Sequence, residues 1–282
     1  MKVIECPRDA MQGIHGFIPT DKKVTYINSL LKVGFDTIDV GSFVSPKAIP
    51  QMKDTAEVLN KIDLTNTKSK LLAIIANLRG AQDAVQFEQV NYLGFPFSIS
   101  ETFQQRNANS SIAESLIRVE EIQNLCVKYG RELVVYISMA FGNPYGDKWS
   151  SEIAIQWSHK LHDIGIRILA LSDTIGVSNP QNITELFSNL IPALKDVEFG
   201  AHLHTTPDKW EEKVQAAYKS GCRRFDAAIK GFGGCPMASD KLTGNMPTEN
   251  LLAFFKKNKI EVSIDDKAFT DSMILAGNTF PL

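Results

Sequence analysis

A strand, a helix and a second strand are predicted in succession by RILALSDTIGVSNPQNITELFSNLIPALKDVEFGAHLH (167–204). The runs RILALS (167–172) and VEFGAHLH (197–204) have the composition of strands, and PQNITELFSNLI (180–191) carries apolar residues at helical spacing. A crossover of this length is what two parallel strands require. The stretch therefore predicts one βαβ unit of a parallel sheet.

The same alternation of short β-type runs and longer helical runs extends over the chain. The other predicted strands are KVIEC (2–6), DTIDV (36–40), KLLAII (70–75), QVNYL (89–93), LVVYISMA (133–140) and RRFDAAI (223–229). The other predicted helices cover 22–34, 51–62, 111–130, 151–165, 207–221 and 247–258, with a weaker pattern near 78–87. Glycines at 34, 130, 165 and 221 end helical runs just before a strand, as helix C-caps do.

Eight strands, each followed by a helix, predict an α/β fold, and eight is the number of repeats in a (β/α)8 TIM barrel. An open doubly wound sheet is the alternative. The clustering of polar residues just after the strands favours the barrel, and the lack of G-x-G-x-x-G after the first strand argues against dinucleotide binding. We expect a single domain over 1–282, with the barrel at about 2–258 and an irregular C-terminal extension at 259–282.

The composition is that of a large globular protein without a strong charge. Of the 282 residues 44% are hydrophobic, and 30 Lys+Arg against 32 Asp+Glu give a net charge of −2. This balance offers no support for nucleic acid or an anionic membrane as a partner. We find no apolar run of membrane-spanning length and no secretory signal. Four scattered cysteines without a C-x-x-C pair are typical of reduced thiols in a cytoplasmic enzyme.

Polar side chains lie at the carboxyl ends of five of the eight predicted strands. They are Arg8 and Asp9, Asp39 and Ser42, Asp173 and Thr174, His202 and His204, and Cys235 and Asn245. In TIM barrels the catalytic groups come from the carboxyl ends of the strands. The Asp173 and Thr174 pair is equally compatible with a simple turn before the next helix, and Asp39 with a turn cap.

His202 and His204 predict a metal site, because alternate residues of a strand face the same side. Two imidazoles leave a divalent ion short of ligands, and the carboxylate of Asp9 and the amide oxygen of Asn245 would complete the set. Such a mixed set suits Mg²⁺ or Mn²⁺ and tolerates Co²⁺ or Zn²⁺. An isolated H-x-H is also found as two half-exposed strand histidines. The polar residues at neighbouring strand ends favour the metal.

The segment KGFGGCPMASDKLTGN (230–245) has the glycine content of a loop that could close over a substrate. Cys235 at its tip fits a nucleophile, a general acid or an inert small residue. Cys6, Cys126 and Cys222 lie in or beside regular elements, and we assign them to packing. Arg8 is either a surface ion-pair partner of Asp9 or, beside a metal, a guanidinium that stabilises an oxyanion.

The chain resembles 3-hydroxy-3-methylglutaryl-CoA lyase, within a superfamily of metal-dependent lyases and Claisen-type condensing barrels. The resemblance covers essentially the whole chain. It is carried by CPRDAMQG (6–13), IDVGSFVSPKAIPQM (38–52), LSDTIGVSNP (171–180), AHLH (201–204), KGFGGCPMA (230–238) and TGNMPTENL (243–251). The Cys-Pro loop separates the lyase from the condensing synthases, which share the Arg-Asp and His-x-His features.

The resemblance implies a role for each matching residue. The metal ligands fall on Asp9, His202, His204 and Asn245; the catalytic groups fall on Arg8, Asp9, Asp39, His202 and Cys235. Four positions depart from the family pattern. Asp39 stands where the lyase has Glu, Thr205 where Asp or Asn follows the second His, Ala10 where Gly follows Arg-Asp, and Met237 where the Cys-Pro loop has an aromatic residue. Thr205 removes a carboxylate of the kind that orients metal-bound imidazoles.

The implied reaction is reverse Claisen cleavage of a 3-hydroxy-3-methylglutaryl thioester to acetyl-CoA and acetoacetate. His202 or Asp9 would remove the hydroxyl proton if it partly released the ion, and Asp39 is a third possibility, as a relay. Arg8 would stabilise the enolate, and Cys235 would protonate it. Lys47, Arg106 and Asn107 are candidates for contacts with the CoA phosphates, or solvated surface groups. A homodimer is compatible with this fold, since such barrels often pair.

Three other functions stay open from the sequence. The first is a lyase for a longer-branched 3-hydroxyglutaryl-CoA, to which the four departures could correspond. The second is a synthase that condenses acetyl-CoA with a 2-oxoacid. The third is a barrel that binds CoA esters without catalysis.

Overall fold

Eight parallel strands close into a barrel in the computed structural model, which describes residues 1–234 and 243–280. Ten strands are described: β1 (Lys2–Glu5), β2 (Thr37–Ser42), β3 (Lys70–Ile74), β4 (Val90–Ser98), β5 (Glu132–Ser138), β6 (Ile168–Ser172), β7 (Glu198–His202), β8 (His204–Thr205), β9 (Arg224–Ala227) and β10 (Gly244–Asn245). Strands β1 to β7 pair in sequence order, and β9 pairs with both β7 and β1. The predicted TIM barrel is confirmed.

Helices surround this barrel. They are α1 (Pro7–Gln12), α2 (Thr20–Leu30), α3 (Thr55–Lys61), α4 (Leu78–Ala84), α5 (Glu101–Ala108), α6 (Ile112–Tyr129), α7 (Ser151–Asp163), α8 (Pro180–Ala193), α9 (Trp210–Lys219), α10 (Thr248–Lys257) and α11 (Asp266–Thr279). The weak helix near 78–87 is confirmed as α4, whose first turn is capped by the side chain of Asn77. Among the described residues no helix is long and apolar enough to cross a membrane.

Helix α6 shows how local sequence sets the boundaries of an element. Ser111 and Glu114 form a reciprocal capping box at its start, and Gly130 ends it in the left-handed conformation at φ 64°. Between these ends Val119, Ile122 and Cys126 are fully buried, at a spacing that places them on one face. The next residues enter β5 directly, so the helix returns the chain to the barrel.

The prediction of an irregular segment at 259–282 was wrong, because α11 occupies most of it. The side chain of Asp265 caps this helix by accepting a hydrogen bond from the N–H of Ala268. Polar residues interrupt its apolar stripe, so the sequence pattern is weak. Tertiary contacts hold the end of the helix instead: the Phe280 ring lies edge-on to Tyr26 of α2 at 5.3 Å. The assignment of the whole chain to one domain stays a prediction.

His202 and His204 do not lie on one continuous strand, as the sequence predicted. His202 ends β7, and His204 begins β8, which pairs antiparallel with β10 above the barrel. At Leu203 the chain leaves the barrel sheet and begins to pair with the segment around β10. The carbonyl of Leu203 accepts a hydrogen bond from the N–H of Met246. In this small sheet Asn245 is the residue opposite His204. The two-stranded sheet of β8 and β10 therefore places Asn245 beside His204.

Candidate metal centre and active site

Asp9, His202 and His204 meet at the carboxyl end of the barrel. One ligand atom from each of the three lies within 4.8 Å of the others. Asp9 comes from the short helix that follows β1, and the two histidines come from the end of β7 and the start of β8. Asp9 and His204 are buried and His202 is half-buried. The structure thus brings together three of the four residues that were predicted to bind a metal.

Asn245, the fourth predicted ligand, contacts this cluster through its amide nitrogen. Its Nδ2 donates to Oδ2 of Asp9 at 2.6 Å and to the carbonyl of Phe232 at 2.8 Å. A metal would require Oδ1, so the amide must rotate about its Cβ–Cγ bond to act as a ligand. Amide orientation follows the hydrogen-bond network around it, and an ion would change that network.

The donor set fits a divalent ion. Both ring nitrogens of His204 are buried and have no hydrogen-bond partner among the described residues. Buried polar atoms normally have partners, so an imidazole left in this state beside a carboxylate is suited to coordinating a cation. Two imidazoles, a carboxylate and an amide are the mixed nitrogen and oxygen set that first-row divalent metals accept.

The protonation states of Asp9 and His204 favour cation binding. Burial opposes ionisation of Asp9, but Arg8 and the two imidazoles outweigh it, so the pKa of Asp9 is lowered. Burial, together with the charge of His202, lowers the pKa of His204 to about 4. Asp9 is therefore ionised and His204 neutral near pH 7, and these are the forms that bind a metal.

Asp226 orients His202. Its Oδ2 lies 3.1 Å from Nδ1 of His202, so Nδ1–H donates to the carboxylate and Nε2 is left for an ion. Burial lowers the pKa of His202, but this hydrogen bond and the charge of Asp226 outweigh burial and raise it. The ring of Tyr136 stands edge-on to the imidazole at 5.6 Å. Sequence reasoning missed Asp226, although its place two residues after Arg224 on a strand puts it on the same interior face.

Cys6 forms a second group of closely spaced donor atoms with His202 and Asp226. Its side chain is buried, and Sγ lies 3.7 Å from the carbonyl of Ile4. Burial raises the pKa of the Cys6 thiol well above its ordinary value, which opposes formation of the thiolate that a metal would need. The structure thus agrees with the assignment of this cysteine to packing.

Arg8 bridges two carboxylates beside the cluster. Its Nε and Nη2 donate to Oδ2 of Asp39 at 2.9 and 2.6 Å, and Nη1 donates to Oδ1 of Asp9 at 2.8 Å. Gln12, one turn further along α1, accepts from Nη1 and donates to the same oxygen of Asp9. Sequence reasoning missed Gln12, and the available signal was its spacing from Arg8 and Asp9, which places it on their side of a helix.

Asp39 was predicted at the end of the second strand, and it lies inside β2, fully buried, because β2 extends to Ser42 and not to residue 40. Burial raises the pKa of Asp39 to about 6, although Arg8 acts in the opposite direction. Asp39 is not among the described residues that line the cavity, and it reaches the site through Arg8.

Asp173 and Thr174 follow β6 and have different surroundings. Asp173 is buried, accepts from the N–H and the hydroxyl of Ser178, and pairs with Lys213 at 2.7 Å. It closes the turn before α8, which was the simpler of the two interpretations. Thr174 lines the cavity, and its Oγ1 accepts from the N–H of Met139.

A cavity of about 470 Å³ opens above the cluster. Arg8, Asp9 and both histidines lie at its base, and apolar side chains such as Ile74 and Phe103 form its walls. Arg106 and Asn107 of α5 line it as well, whereas Lys47 is exposed and is not among its described lining residues. The CoA contacts of all three residues stay predictions.

Cys235 lies outside the described residues. The glycine-rich segment that leads to it approaches Asp9 closely. A Cβ at Gly233, where φ is +91°, would lie 2.6 Å from the carbonyl of Asp9 and 2.8 Å from Nδ2 of Asn245. Only glycine fits such a contact, so this backbone packs directly against the cluster.

Known proteins share this fold and sequence over nearly the whole chain. The sequence profile described as HMGL-like matches residues 5–274. The chain belongs to the HMGL-like family. It is 31% identical to a hydroxymethylglutaryl-CoA lyase of Bacillus subtilis, with 92% of this chain and 85% of that protein covered. It is 33% identical to the mitochondrial hydroxymethylglutaryl-CoA lyase of Gallus gallus, with 96% and 91% covered.

Solved structures of HMGL-like relatives agree with the barrel. An HMG-CoA lyase from Acinetobacter baumannii, in complex with coenzyme A and 3-methylmalate, superposes with a TM-score of 0.90 at 33% identity, with 100% of this chain and 92% of that chain covered. The Bacillus subtilis HMG-CoA lyase superposes with a TM-score of 0.92 at 29% identity, with 100% and 95% covered. The likeness thus extends to enzymes described as lyases of HMG-CoA.

Proposed function

We propose that this protein is a metal-dependent lyase that cleaves 3-hydroxy-3-methylglutaryl-CoA into acetyl-CoA and acetoacetate. The observation that carries the proposal is the meeting of Asp9, His202 and His204 with Arg8 at the base of one cavity. Relatives named for this activity cover most of the chain, which supports the choice of substrate. Synthase and purely binding functions have no comparable support.

Asp9, His202, His204 and Asn245 would hold the metal, for which Mg²⁺ or Mn²⁺ is our choice on the donor set. The ion would polarise the tertiary hydroxyl of the substrate and an adjacent oxygen. His202 or Asp9 accepts the hydroxyl proton, and either residue can do so only while its ligand atom is released from the ion. Asp226 supports His202 in that role, because its carboxylate faces the positive charge that the imidazole would gain.

Arg8 stabilises the enolate that forms as the carbon–carbon bond breaks and its electron pair moves to the acetyl-CoA fragment. The guanidinium is held by two hydrogen bonds to Asp39 and one to Asp9, so little reorganisation is needed as the charge develops. Burial opposes the charge of Arg8, but the two carboxylates outweigh it and raise its pKa. Arg8 thus acts by charge and hydrogen bonding and does not transfer a proton.

Cys235 supplies the proton that converts the enolate carbon to the methyl group of acetyl-CoA. The close packing of Gly233 on Asp9 supports this role, because Gly233 precedes Cys235 by only two residues in the sequence. Arg106 and Asn107 lie on the cavity wall formed by α5, where they could meet the phosphates of CoA. The free, buried thiols of Cys6, Cys126 and Cys222 agree with a cytoplasmic enzyme.

An acetoacetate-coupled assay on metal-stripped protein tests the proposal. We expect cleavage of 3-hydroxy-3-methylglutaryl-CoA when Mg²⁺ or Mn²⁺ is added and none in EDTA. Asp9→Asn should abolish the metal response, and Asp163→Asn, at the exposed end of α7, is the matched control that should not. Longer-branched acyl-CoA esters, and acetyl-CoA with 2-oxoacids, complete the substrate panel. Equal turnover in EDTA, or preference for another substrate, would overturn the proposal.

A further inference from the structure

His204 lacks the side-chain support that His202 has. The imidazole of His202 is fixed by Asp226, whereas neither ring nitrogen of His204 has a hydrogen-bond partner among the described residues. The orientation of the His204 ring before a cation binds therefore depends on its backbone. That backbone has two anchors, the pairing with Asn245 in the small sheet and a hydrogen bond to the carbonyl of His204.

The hydrogen bond to this carbonyl comes from Lys213 of α9. Lys213 is almost completely buried, and its ammonium donates to three oxygens. These are Oδ2 of Asp173 at 2.7 Å, the carbonyl of His204 at 2.9 Å and the carbonyl of Gly176 at 3.1 Å. Three donors with three acceptors leave the ammonium fully satisfied. Lys213 thus ties the turn after β6 to the backbone of the second histidine.

We infer that Lys213 is a positioning residue for the metal ligand His204, an inference that rests on the proposed metal site. The ammonium holds the His204 backbone in place, and the His204 carbonyl cannot shift without leaving a buried donor unpaired. Asp173 holds the ammonium in turn, because its carboxylate is fixed by Ser178.

This arrangement supplies support that residue 205 does not. Thr205 follows His204, and its hydroxyl donates to the neighbouring carbonyl of Thr206, so it offers no carboxylate to the site. Lys213 of α9 supports His204 instead, through a hydrogen bond to its main-chain carbonyl.

Mn²⁺ titration of the metal-free full chain, without substrate, tests the inference. Lys213→Met should raise the Kd for Mn²⁺ by about 10 to 100-fold, the range found when residues that orient metal ligands are lost. Lys23→Met is the matched control. Lys23 is an equally buried lysine that pairs with Asp54 at 2.6 Å and also donates to the carbonyl of Gln51, and neither partner belongs to the site.

A double variant separates positioning from stability. Lys213→Met with Asp173→Asn removes both charges of the buried pair, so it should unfold at a higher urea concentration than Lys213→Met alone. It should still bind Mn²⁺ weakly, because the His204 carbonyl remains unsupported. Recovery of wild-type Mn²⁺ affinity in the double variant, or equal affinity losses in the two lysine variants, would overturn the inference. If the unaltered protein binds no Mn²⁺, the proposed metal site itself fails.

Discussion

The two ends of the barrel interior both carry charged side chains, but these charges are balanced differently. At the amino end, Glu198 accepts hydrogen bonds from both Lys2 and Arg224, and Lys70 donates to the hydroxyl of Tyr92 at 2.9 Å. At the carboxyl end, by contrast, the three carboxylates of Asp9, Asp39 and Asp226 are buried beside the candidate metal centre. Arg8 is the described guanidinium that bonds to the first two of these carboxylates.

This difference explains why the candidate metal centre forms at one end. Three carboxylates, of which Arg8 bonds to two, leave a surplus of negative charge, which a divalent cation would offset. The buried carboxylate oxygens without hydrogen-bond partners have the same distribution, since among the described residues they are Oδ1 of Asp39 and Oδ1 of Asp226. Arg224 also leaves two nitrogens without acceptors, and its side chain is almost completely buried. In TIM barrels the carboxyl end holds the chemistry and the amino end stability.

The largest effect is expected from Arg8→Met, which removes the guanidinium that is hydrogen-bonded to Asp9 and Asp39. We expect kcat to fall by about 10² to 10³-fold, the loss found when a donor to a developing oxyanion is removed. Mn²⁺ should bind at least as tightly as before, because the competing positive charge beside Asp9 is gone. Steady-state kinetics and Mn²⁺ titration measure the two effects. Arg8→Lys retains the charge without the forked hydrogen bonds, so its kcat should lie between those of Arg8→Met and the unaltered protein. A kcat within tenfold of the unaltered protein would contradict the role of Arg8.

The arrangement of the carboxyl end could largely be predicted from sequence. Eight strand and helix repeats define a barrel, and a barrel places the residues after its strands at one end. Asp9, His202 and His204 therefore came together as expected although they lie almost 200 positions apart. Family resemblance was needed to assign roles, because the type of residue alone does not distinguish a ligand from a polar surface group.

The supporting residues could not be predicted, for physical reasons that differ between them. Asp226 lies in a predicted strand, where periodicity reports burial but not the partner of a buried carboxylate. Lys213 lies on an amphipathic helix, where a lysine is typical of solvent exposure, and only the tertiary structure shows that it is buried. The pairing of β8 with β10 depends on two residues in each strand, too short for any periodic signal.

A second test compares two glutamates of the barrel strands, Glu5 and Glu198. Glu5 is fully buried, and its carboxyl accepts from the N–H of Ile229 and the hydroxyl of Thr248 without a cation. Burial raises its pKa to about 8. The folded state therefore binds more protons than the unfolded state, and stability should fall as pH rises from about 4.5 to 8. Glu5→Gln should remove this part of the pH dependence. The change amounts to a few kcal/mol in the unfolding free energy measured with urea.

The control for Glu5 is Glu120→Gln, on the exposed face of α6, which should leave the pH dependence unchanged. The Glu5 variant should become more stable than the unaltered protein above pH 8, because an amide has no charge to bury. If the unfolding free energies of the Glu5 variant and the unaltered protein changed equally with pH from 5 to 9, Glu5 would be ionised in the folded protein at little cost. The carboxyl end would then hold more negative charge than its described contacts indicate.

The smallest effect is expected from Glu198→Gln at the amino end. Burial opposes ionisation of Glu198, but the hydrogen bond from Lys2 and the charge of Arg224 lower its pKa. Its contribution to stability is therefore present near neutral pH and is lost as pH falls through that lowered pKa. Because Glu198 is partly exposed, the variant should lose at most about 1 kcal/mol of unfolding free energy at pH 7. The loss should shrink towards pH 3, while kcat and Mn²⁺ affinity stay unchanged at every pH at which the protein is folded. A change in kcat would mean that the charges at the two ends are coupled through Arg224 and Asp226, which share the interior face of β9.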